Sequence, residues 1–153
     1  MARRNGPITF CSHVEKPRQP RLMIVEDDPD LRILVEVAAN RAEAYSSIVT
    51  ESDGQAALAR IRELSAVADH PACPDVVFTD LDMPGLTGIQ LTRELQRDPV
   101  TKHIRVAVFT ASNIPHDNEA ARAAGCYAVF KKPVGLRELT EIMKSLAIGP
   151  AKA

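Results

Sequence analysis

Several side chains that could carry out chemistry stand directly after short apolar runs in this chain. They are Glu26, Asp27, Asp80, Thr110 and Lys132. Carboxylates that have no Cys or His beside them suit Mg²⁺, which proteins usually hold through one or two carboxylates and several waters. A carboxylate nucleophile, a divalent cation, a hydroxyl group and a lysine are together what phosphoryl transfer to an aspartate needs, and Asp80 is the candidate nucleophile.

Each of these residues taken alone says little. An acidic run such as Glu26-Asp27-Asp28 is usually a solvated turn, and a lysine pair such as Lys131-Lys132 is usually a solvated face. A site is predicted only if the fold brings the residues together, so the elements that carry them decide the question.

Short runs rich in β-branched and aromatic residues alternate with amphipathic stretches along the chain. The runs are Leu22–Val25, Ser47–Thr50, Val76–Phe78, Ile104–Phe109 and Tyr127–Phe130. This alternation predicts an α/β fold, with five parallel strands, helices on both faces and right-handed crossovers. In the flavodoxin-like, doubly wound order 2-1-3-4-5, strands one, three, four and five lie side by side and their carboxyl ends share one crevice. The candidate residues stand at those ends, where crowded carboxylates would raise one another's pKa values unless a cation relieved them.

The predicted helices have local start and stop signals. Asp28 can cap the first helix, with Pro29 as its first residue, and Asp53 can cap the second. Gly125 is a good C-terminal cap for the fourth helix, which is made mostly of alanine. The first two predicted helices end near Arg41 and Leu64. The other three run from about Thr87 to Gln96, from Asp117 to Ala124 and from about Gly135 to Ala147.

Composition restricts the class of protein. The chain has 153 residues, enough for one domain with an adequate core, and its 45% hydrophobic and 25% charged residues are ordinary for a globular protein. The net charge of -1 gives no field that favours nucleic acid or membrane, and no apolar run approaches the ~20 residues of a membrane span. Cys11, Cys73 and Cys126 are widely scattered and suggest neither a disulfide framework nor a metal site, so we expect a cytoplasmic protein.

We expect three segments. Residues 1–20 contain Pro7, Pro17 and Pro20 with mostly basic charge, which predicts a flexible arm that is either an unstructured leader or a tether to a partner. Residues 21–148 form the folded domain, and residues 149–153 a short tail. No output domain is expected, because no second core follows the last helix.

Taken together, these motifs resemble the receiver domain of two-component response regulators, the chemotaxis-regulator-like family. The resemblance covers about Arg21 to Ala147. It depends on an acidic pair after the first strand, an acidic residue before a Met-Pro-Gly turn, a hydroxyl residue and a Lys-Pro pair. In this chain these are Met23–Asp28, Asp80–Gly85, Thr110-Ala111 and Lys132-Pro133.

That resemblance implies a stand-alone, non-enzymatic phosphoacceptor protein. Asp80 would receive phosphate from a sensor histidine kinase or a phosphotransfer protein, and the resulting change of conformation would control binding to an unknown protein target. Glu26, Asp27, Asp80 and the backbone carbonyl of Asp82 would bind Mg²⁺. Thr110 would bond a phosphoryl oxygen and Lys132 would pair with it. No direct contact with nucleic acid or membrane is expected, and a homodimer is left open.

Two departures from the family pattern affect the expected conformational switch. The family commonly has an aromatic residue three positions before its lysine, and here that residue is Val129. Tyr127 stands five positions before and would point the same way, but at the other end of the strand. Lys131 adds a second cation beside the family lysine.

Two other functions fit the same residues. An aspartate-nucleophile phosphohydrolase also combines carboxylates, Mg²⁺, Thr and Lys, and has a second acidic residue two positions after its nucleophile, where this chain has Asp82. That function is less favoured because the sequence has no inserted cap domain to select a small substrate. A degenerate receiver that only mediates protein contacts would lack some of the motifs, whereas here they are complete.

Overall fold

The computed structural model describes residues 18–68, 70–111, 115–132 and 135–148, so most of the predicted arm and the tail lie outside the described residues. Within that part of the chain, strands and helices alternate from end to end. They are β1 Arg21–Val25, α1 Pro29–Ala42, β2 Ser47–Glu51, α2 Gly54–Ser65, β3 Val76–Asp80, α3 Gly88–Arg97, β4 Arg105–Thr110, α4 Pro115–Ala124, β5 Ala128–Lys131 and α5 Leu136–Ile148.

The strands form one parallel sheet in the order β2-β1-β3-β4-β5, which confirms the predicted fold. All five residues of β3 are buried, as expected for a central strand covered on both faces. The pairing sets the strand ends level with one another. Val25 pairs with Thr79, Asp80 pairs with Phe109, and Thr110 pairs with Lys131.

Local signals fix where the helices begin. The Asp28 side chain accepts a hydrogen bond from the Asp30 amide at 2.9 Å, with Pro29 as the first helical residue. Asp53 caps α2 in the same way, through a 2.7 Å bond from the Ala56 amide. Both caps were predicted.

Other boundaries differ from the prediction by one or two residues. Thr87 caps α3 in a reciprocal pair with Gln90 and is not its first helical residue. Helix α4 begins at Pro115, two residues before the predicted start, because proline is well suited to the first helical turn. Strand β5 begins one residue after Tyr127, which still donates its amide to Val106.

Each face of the sheet has its own core. Helices α2, α3 and α4 cover one face, where Ile61, Leu91 and Leu95 are fully buried. Helices α1 and α5 cover the other face. There Phe78 and Phe109 stack, with ring centroids 4.3 Å apart. No helix among the described residues has the length and apolar character to cross a bilayer.

Only some of the alanines of helix α4 are buried. Ala121 and Ala124 are buried, but Ala120 is only half-buried and Ala123 is exposed. Gly125 ends the helix with a φ of 103°, as predicted for a glycine cap. Each buried alanine removes only a small apolar area from water, and burial contributes roughly 25 cal/mol per Å² of that area. Helix α4 is therefore weakly anchored.

A charged cluster ties the amino ends of β1, β3 and β4 together. The Asp75 carboxylate accepts hydrogen bonds from the backbone amide and the guanidinium of Arg21, and from Arg18 at 3.0 Å. The Asp75 amide donates to the Arg21 carbonyl, and the Arg105 amide donates to the Asp75 carbonyl. Burial alone would raise the pKa of Asp75, but the bonds from Arg21 and Arg18 outweigh it and lower the pKa to about 2.

We expect Asp75→Asn to destabilise the protein at neutral pH. Because the folded-state pKa lies below the ordinary value of 3.8, the ionised carboxylate stabilises the fold above that value, and this contribution is lost as pH falls toward about 2. At roughly 1.4 kcal/mol per pKa unit, the loss at pH 7 is on the order of 2 kcal/mol. Urea unfolding of both proteins across this pH range is the measurement.

Glu94→Gln is the control, since the partners of Glu94 are the exposed Arg62 and Arg97 and such surface pairs contribute little. A stability difference between wild type and Asp75→Asn that stayed constant from pH 7 to pH 2 would contradict the assignment of the stabilisation to the ionised carboxylate.

Candidate functional site

Three carboxylates meet at the carboxyl end of the sheet. One oxygen from each of Glu26, Asp27 and Asp80 lies within 4.8 Å of the other two. Asp80 is the last residue of β3, and Glu26 and Asp27 directly follow β1, its neighbour in the sheet. Glu26 and Asp80 are buried, whereas Asp27 is exposed. The strand order therefore brings the predicted acidic residues together.

Both oxygens of the Asp80 carboxylate have partners. Lys132 donates from Nζ to Oδ2 at 3.0 Å, and the Asp82 amide donates to Oδ1 at 3.2 Å. Burial raises the pKa of Asp80 above its ordinary value, although the hydrogen bond and charge of Lys132 oppose this effect. These two hydrogen bonds fix the orientation of the carboxylate.

Of the three carboxylates, Glu26 has the least favourable surroundings for a negative charge. Its Oε2 accepts a hydrogen bond from the Asp28 amide at 2.9 Å, but its buried Oε1 has no hydrogen-bond partner among the described residues. Burial raises the pKa of Glu26 to about 7, and the charge of Asp80 adds to the effect. A buried carboxylate oxygen without a partner, beside two other carboxylates, is an arrangement that a bound cation would stabilise.

Lys132 links the acidic cluster to the end of β4. Its amide donates to the Thr110 carbonyl at 2.7 Å, so the backbone pairing of β4 and β5 continues to the lysine itself. Burial would lower the pKa of Lys132, but the hydrogen bond and charge of Asp80 outweigh it and raise the pKa. Thr110, the last residue of β4, is buried. Because its pKa is raised, the Lys132 ammonium group stays charged over the whole physiological pH range.

The turn after Asp80 packs directly on the start of α3. The Gly88 amide donates to the Leu81 carbonyl at 3.1 Å, and the Leu81 amide donates to the Phe109 carbonyl at 2.9 Å. A Cβ atom at residue 88 would collide with the Asp80 carbonyl oxygen, so only glycine allows this approach. Gly85 adopts a positive φ of 77° in the same turn.

The other residues singled out in the sequence are placed as follows. The Asp82 side chain and Lys131 are exposed, and Pro133 lies outside the described residues. Val129 packs against the core cluster that includes Ala121.

Tyr127 lies far from the carboxylates. Its ring packs under the guanidinium of Arg105, 5.4 Å from Cζ to the ring centroid, at the amino end of β4. Tyr127 therefore does not replace the missing aromatic residue near Thr110.

Two contacts at the site were not predicted. The Arg32 guanidinium donates to the Glu26 carbonyl at 2.8 Å. Arg32 lies in the first turn of α1, four residues after the Asp28 cap, and this position was the only sequence feature that indicated the contact. Gly88 had no signal beyond its place at the start of α3. A groove of about 1050 Å³ is lined by Asp75, His103, Arg105 and neighbouring residues at the opposite end of the sheet, so it does not belong to this site.

The chain matches the response regulator receiver domain family over residues 22–144. The polar-differentiation response regulator DivK of Brucella ovis is 33% identical over 124 residues, which cover 81% of this chain and 93% of that protein. The phosphorylated cyanobacterial phytochrome response regulator RcpA is 25% identical, with a TM-score of 0.70 over 84% of this chain and 91% of that one. The Mn²⁺-bound response regulator Rcp1 shares the fold at 21% identity, with a TM-score of 0.66 over 83% of this chain and 91% of that one.

The family match spans nearly all of the folded region and includes every strand end that contributes to the acidic cluster and its lysine. The relatives are response regulators, and the sheet order is the one predicted from the sequence. This chain therefore belongs to the response regulator receiver domain family.

Proposed function

We propose that this protein is a response regulator that accepts a phosphoryl group on Asp80 in the cytoplasm. The donor is a sensor histidine kinase or a phosphotransfer protein, and the phosphorylated form binds a downstream protein differently from the free form. The observation that carries the proposal is the placement of the Asp80 carboxylate. It lies at the end of the central strand, 3.0 Å from the Lys132 ammonium and within 4.8 Å of two further carboxylates.

The donor set fits Mg²⁺. Glu26, Asp27 and Asp80 offer only oxygen ligands, and the buried Oε1 of Glu26 lacks a hydrogen-bond partner. We assign these carboxylates and the backbone carbonyl of Asp82 as the protein ligands. The structure of the relative Rcp1 contains Mn²⁺, which also prefers oxygen ligands. When bound, the cation neutralises charge on the transferring phosphoryl group.

Asp80 is the nucleophile of the proposed transfer. One of its carboxylate oxygens forms a bond to phosphorus while the bond from phosphorus to the donor imidazole nitrogen breaks, and the electron pair stays on that nitrogen. Lys132 gives up its contact with the Asp80 oxygen and pairs with a phosphoryl oxygen. The Thr110 hydroxyl donates to another phosphoryl oxygen, which moves the end of β4 toward the site.

The phosphohydrolase alternative receives no support from the relatives, which are response regulators. Its second acidic residue would be Asp82, whose side chain is exposed while its amide binds Asp80. Sustained multiple turnover of a generic phosphate monoester would favour the hydrolase over the receiver.

We expect Asp80→Asn to abolish phosphorylation. The amide keeps the shape of the side chain but cannot act as a nucleophile. Incubation with Mg²⁺ and a small phosphodonor such as phosphoramidate, followed by intact-protein mass spectrometry, measures the incorporated phosphoryl group.

Asp82→Asn is the matched control, because it changes an exposed carboxylate two residues away and leaves Asp80 intact. It should still incorporate phosphate. Undiminished, hydroxylamine-resistant label on Asp80→Asn would show that another residue is the acceptor.

We expect Glu26→Gln to stabilise the metal-free protein at high pH. The pKa of Glu26 is raised from 4.5 to about 7, so the folded protein favours the protonated carboxyl group. The stability that goes with the protonated form is lost as pH rises through about 7. At roughly 1.4 kcal/mol per pKa unit, the variant should gain on the order of 3 kcal/mol at pH 8 and nothing below about pH 4.5. Urea unfolding in the presence of a chelator measures the gain.

Mg²⁺ should reduce this difference, since it would stabilise the wild type more than the variant. Asp27→Asn is the control: it should weaken the response to Mg²⁺ while changing the metal-free stability little, because Asp27 is exposed. A Glu26→Gln protein less stable than the wild type at pH 8 without metal would contradict the account of Glu26.

We expect phosphorylation to loosen or shift the Thr110–Gly125 segment. Helix α4 is weakly anchored, and Val129 is too short and too stiff at χ1 to follow Thr110 as an aromatic side chain would. Hydrogen exchange with and without beryllofluoride, a phosphoryl mimic, should show its largest changes in this segment.

Tyr127→Ala tests whether an aromatic intermediary is needed. The exchange changes should persist in this variant, because the tyrosine ring packs on Arg105 at the other end of the strand. If Tyr127→Ala erased them, the proposed route through α4 would be wrong.

A further inference from the structure

Lys132 contacts an aromatic ring as well as a carboxylate. Its Nζ lies 3.0 Å from Oδ2 of Asp80 and 5.5 Å from the centroid of the Phe109 ring, over the face of that ring. At this distance the negative face of the ring attracts an ammonium group. The lysine head is therefore held from two sides, by an anion and by an aromatic face.

The Phe109 ring is itself fixed by its neighbours. It is fully buried and stacks on Phe78 with an interplanar angle of 5° and a centroid distance of 4.3 Å. Phe130 packs at a tilt against Phe78, with centroids 6.4 Å apart. These rings come from β4, β3 and β5, so the platform under Lys132 is part of the sheet core and cannot reorient without disturbing it.

The two contacts of Lys132 behave differently during the proposed transfer. Once an Asp80 oxygen is bonded to phosphorus, the carboxylate charge that holds Lys132 is redistributed to the phosphoryl group, and the ammonium must follow it. The ring does not change during the reaction. A lysine side chain is long and flexible, and here it is 29% exposed, so a fixed partner limits where its head can go.

We infer that Phe109 is a positioning residue, whose ring face keeps the Lys132 ammonium at the site while its anionic partner changes. The inference rests on the proposed function of Asp80 and deepens it. An aliphatic residue could fill the same volume against Phe78, but it would not attract a cation. The role therefore depends on the electron density of the ring rather than on its bulk.

Fluorination separates these two properties. Fluorine atoms on a phenylalanine ring weaken the attraction for a cation while changing its size little. We would place mono-, di- and trifluorophenylalanine at residue 109 by site-specific incorporation, and at residue 130 as the control. The Phe130 ring belongs to the same aromatic cluster through its contact with Phe78.

The readout is the rate of phosphorylation by phosphoramidate at saturating Mg²⁺. We expect the rate to fall stepwise with each fluorine at residue 109, by roughly 3- to 10-fold for the full series, and to stay constant at residue 130. Equal decreases at both positions, or no decrease at residue 109, would overturn the inference.

A double-mutant cycle measures the contact without any phosphoryl chemistry. Phe109→Leu and Lys132→Met, alone and combined, should show a coupling of roughly 3- to 10-fold in the unfolding equilibrium constant. Additive effects would show that the ring and the ammonium do not interact and would overturn the inference. If the wild type accepts no phosphate at all, the proposed function fails, and the cycle still reports on the contact.

Discussion

The ion pair between Asp80 and Lys132 is the interaction on which the site depends. Among the described residues, Glu26 and Asp80 accept side-chain hydrogen bonds from backbone amides and lie beside the Asp27 carboxylate, so without the ammonium group they would be buried carboxylates close to like charge. Burying like charges in this way is costly, and a lysine 3.0 Å from Oδ2 offsets part of the cost. The remaining cost is visible in Glu26, whose pKa of about 7 shows that the compensation is incomplete. The proposed Mg²⁺ would offset that remaining cost.

The parallel sheet is what makes this pair possible. Residues 80 and 132 are far apart in sequence, and only the adjacency of β3, β4 and β5 brings their side chains together. The same alignment places Thr110 beside them and aims the turn after Asp80 onto the glycine that opens α3. Function here is a property of strand order, as it is in other doubly wound sheets.

Much of the fold could be predicted from sequence because its signals are local. Asp28 and Pro29 alone predict the start of α1, and the run from Val76 to Phe78 alone predicts a central strand. The acidic cluster could be predicted as well, once strand order was assumed. Contacts between distant residues carried no such signal: nothing near Asp75 indicates that Arg21 will hold it, and nothing near Phe109 indicates that Lys132 will lie over its ring. The sequence also placed Tyr127 at the end of β5 far from Lys132, but it did not indicate that the tyrosine ring would pack on Arg105 of β4.

The charged cluster around Asp75 lies at the opposite end of the sheet from the carboxylates, and this separation has a practical consequence. The starts of β1, β3 and β4 are fastened to one another there, while the chemistry occupies the ends of the same strands. A fluorescent label or a surface tether attached beside the groove at that end would leave the three carboxylates accessible to a partner. This end of the sheet is therefore a suitable attachment site, and attachment there fixes the orientation of the protein on a sensor surface.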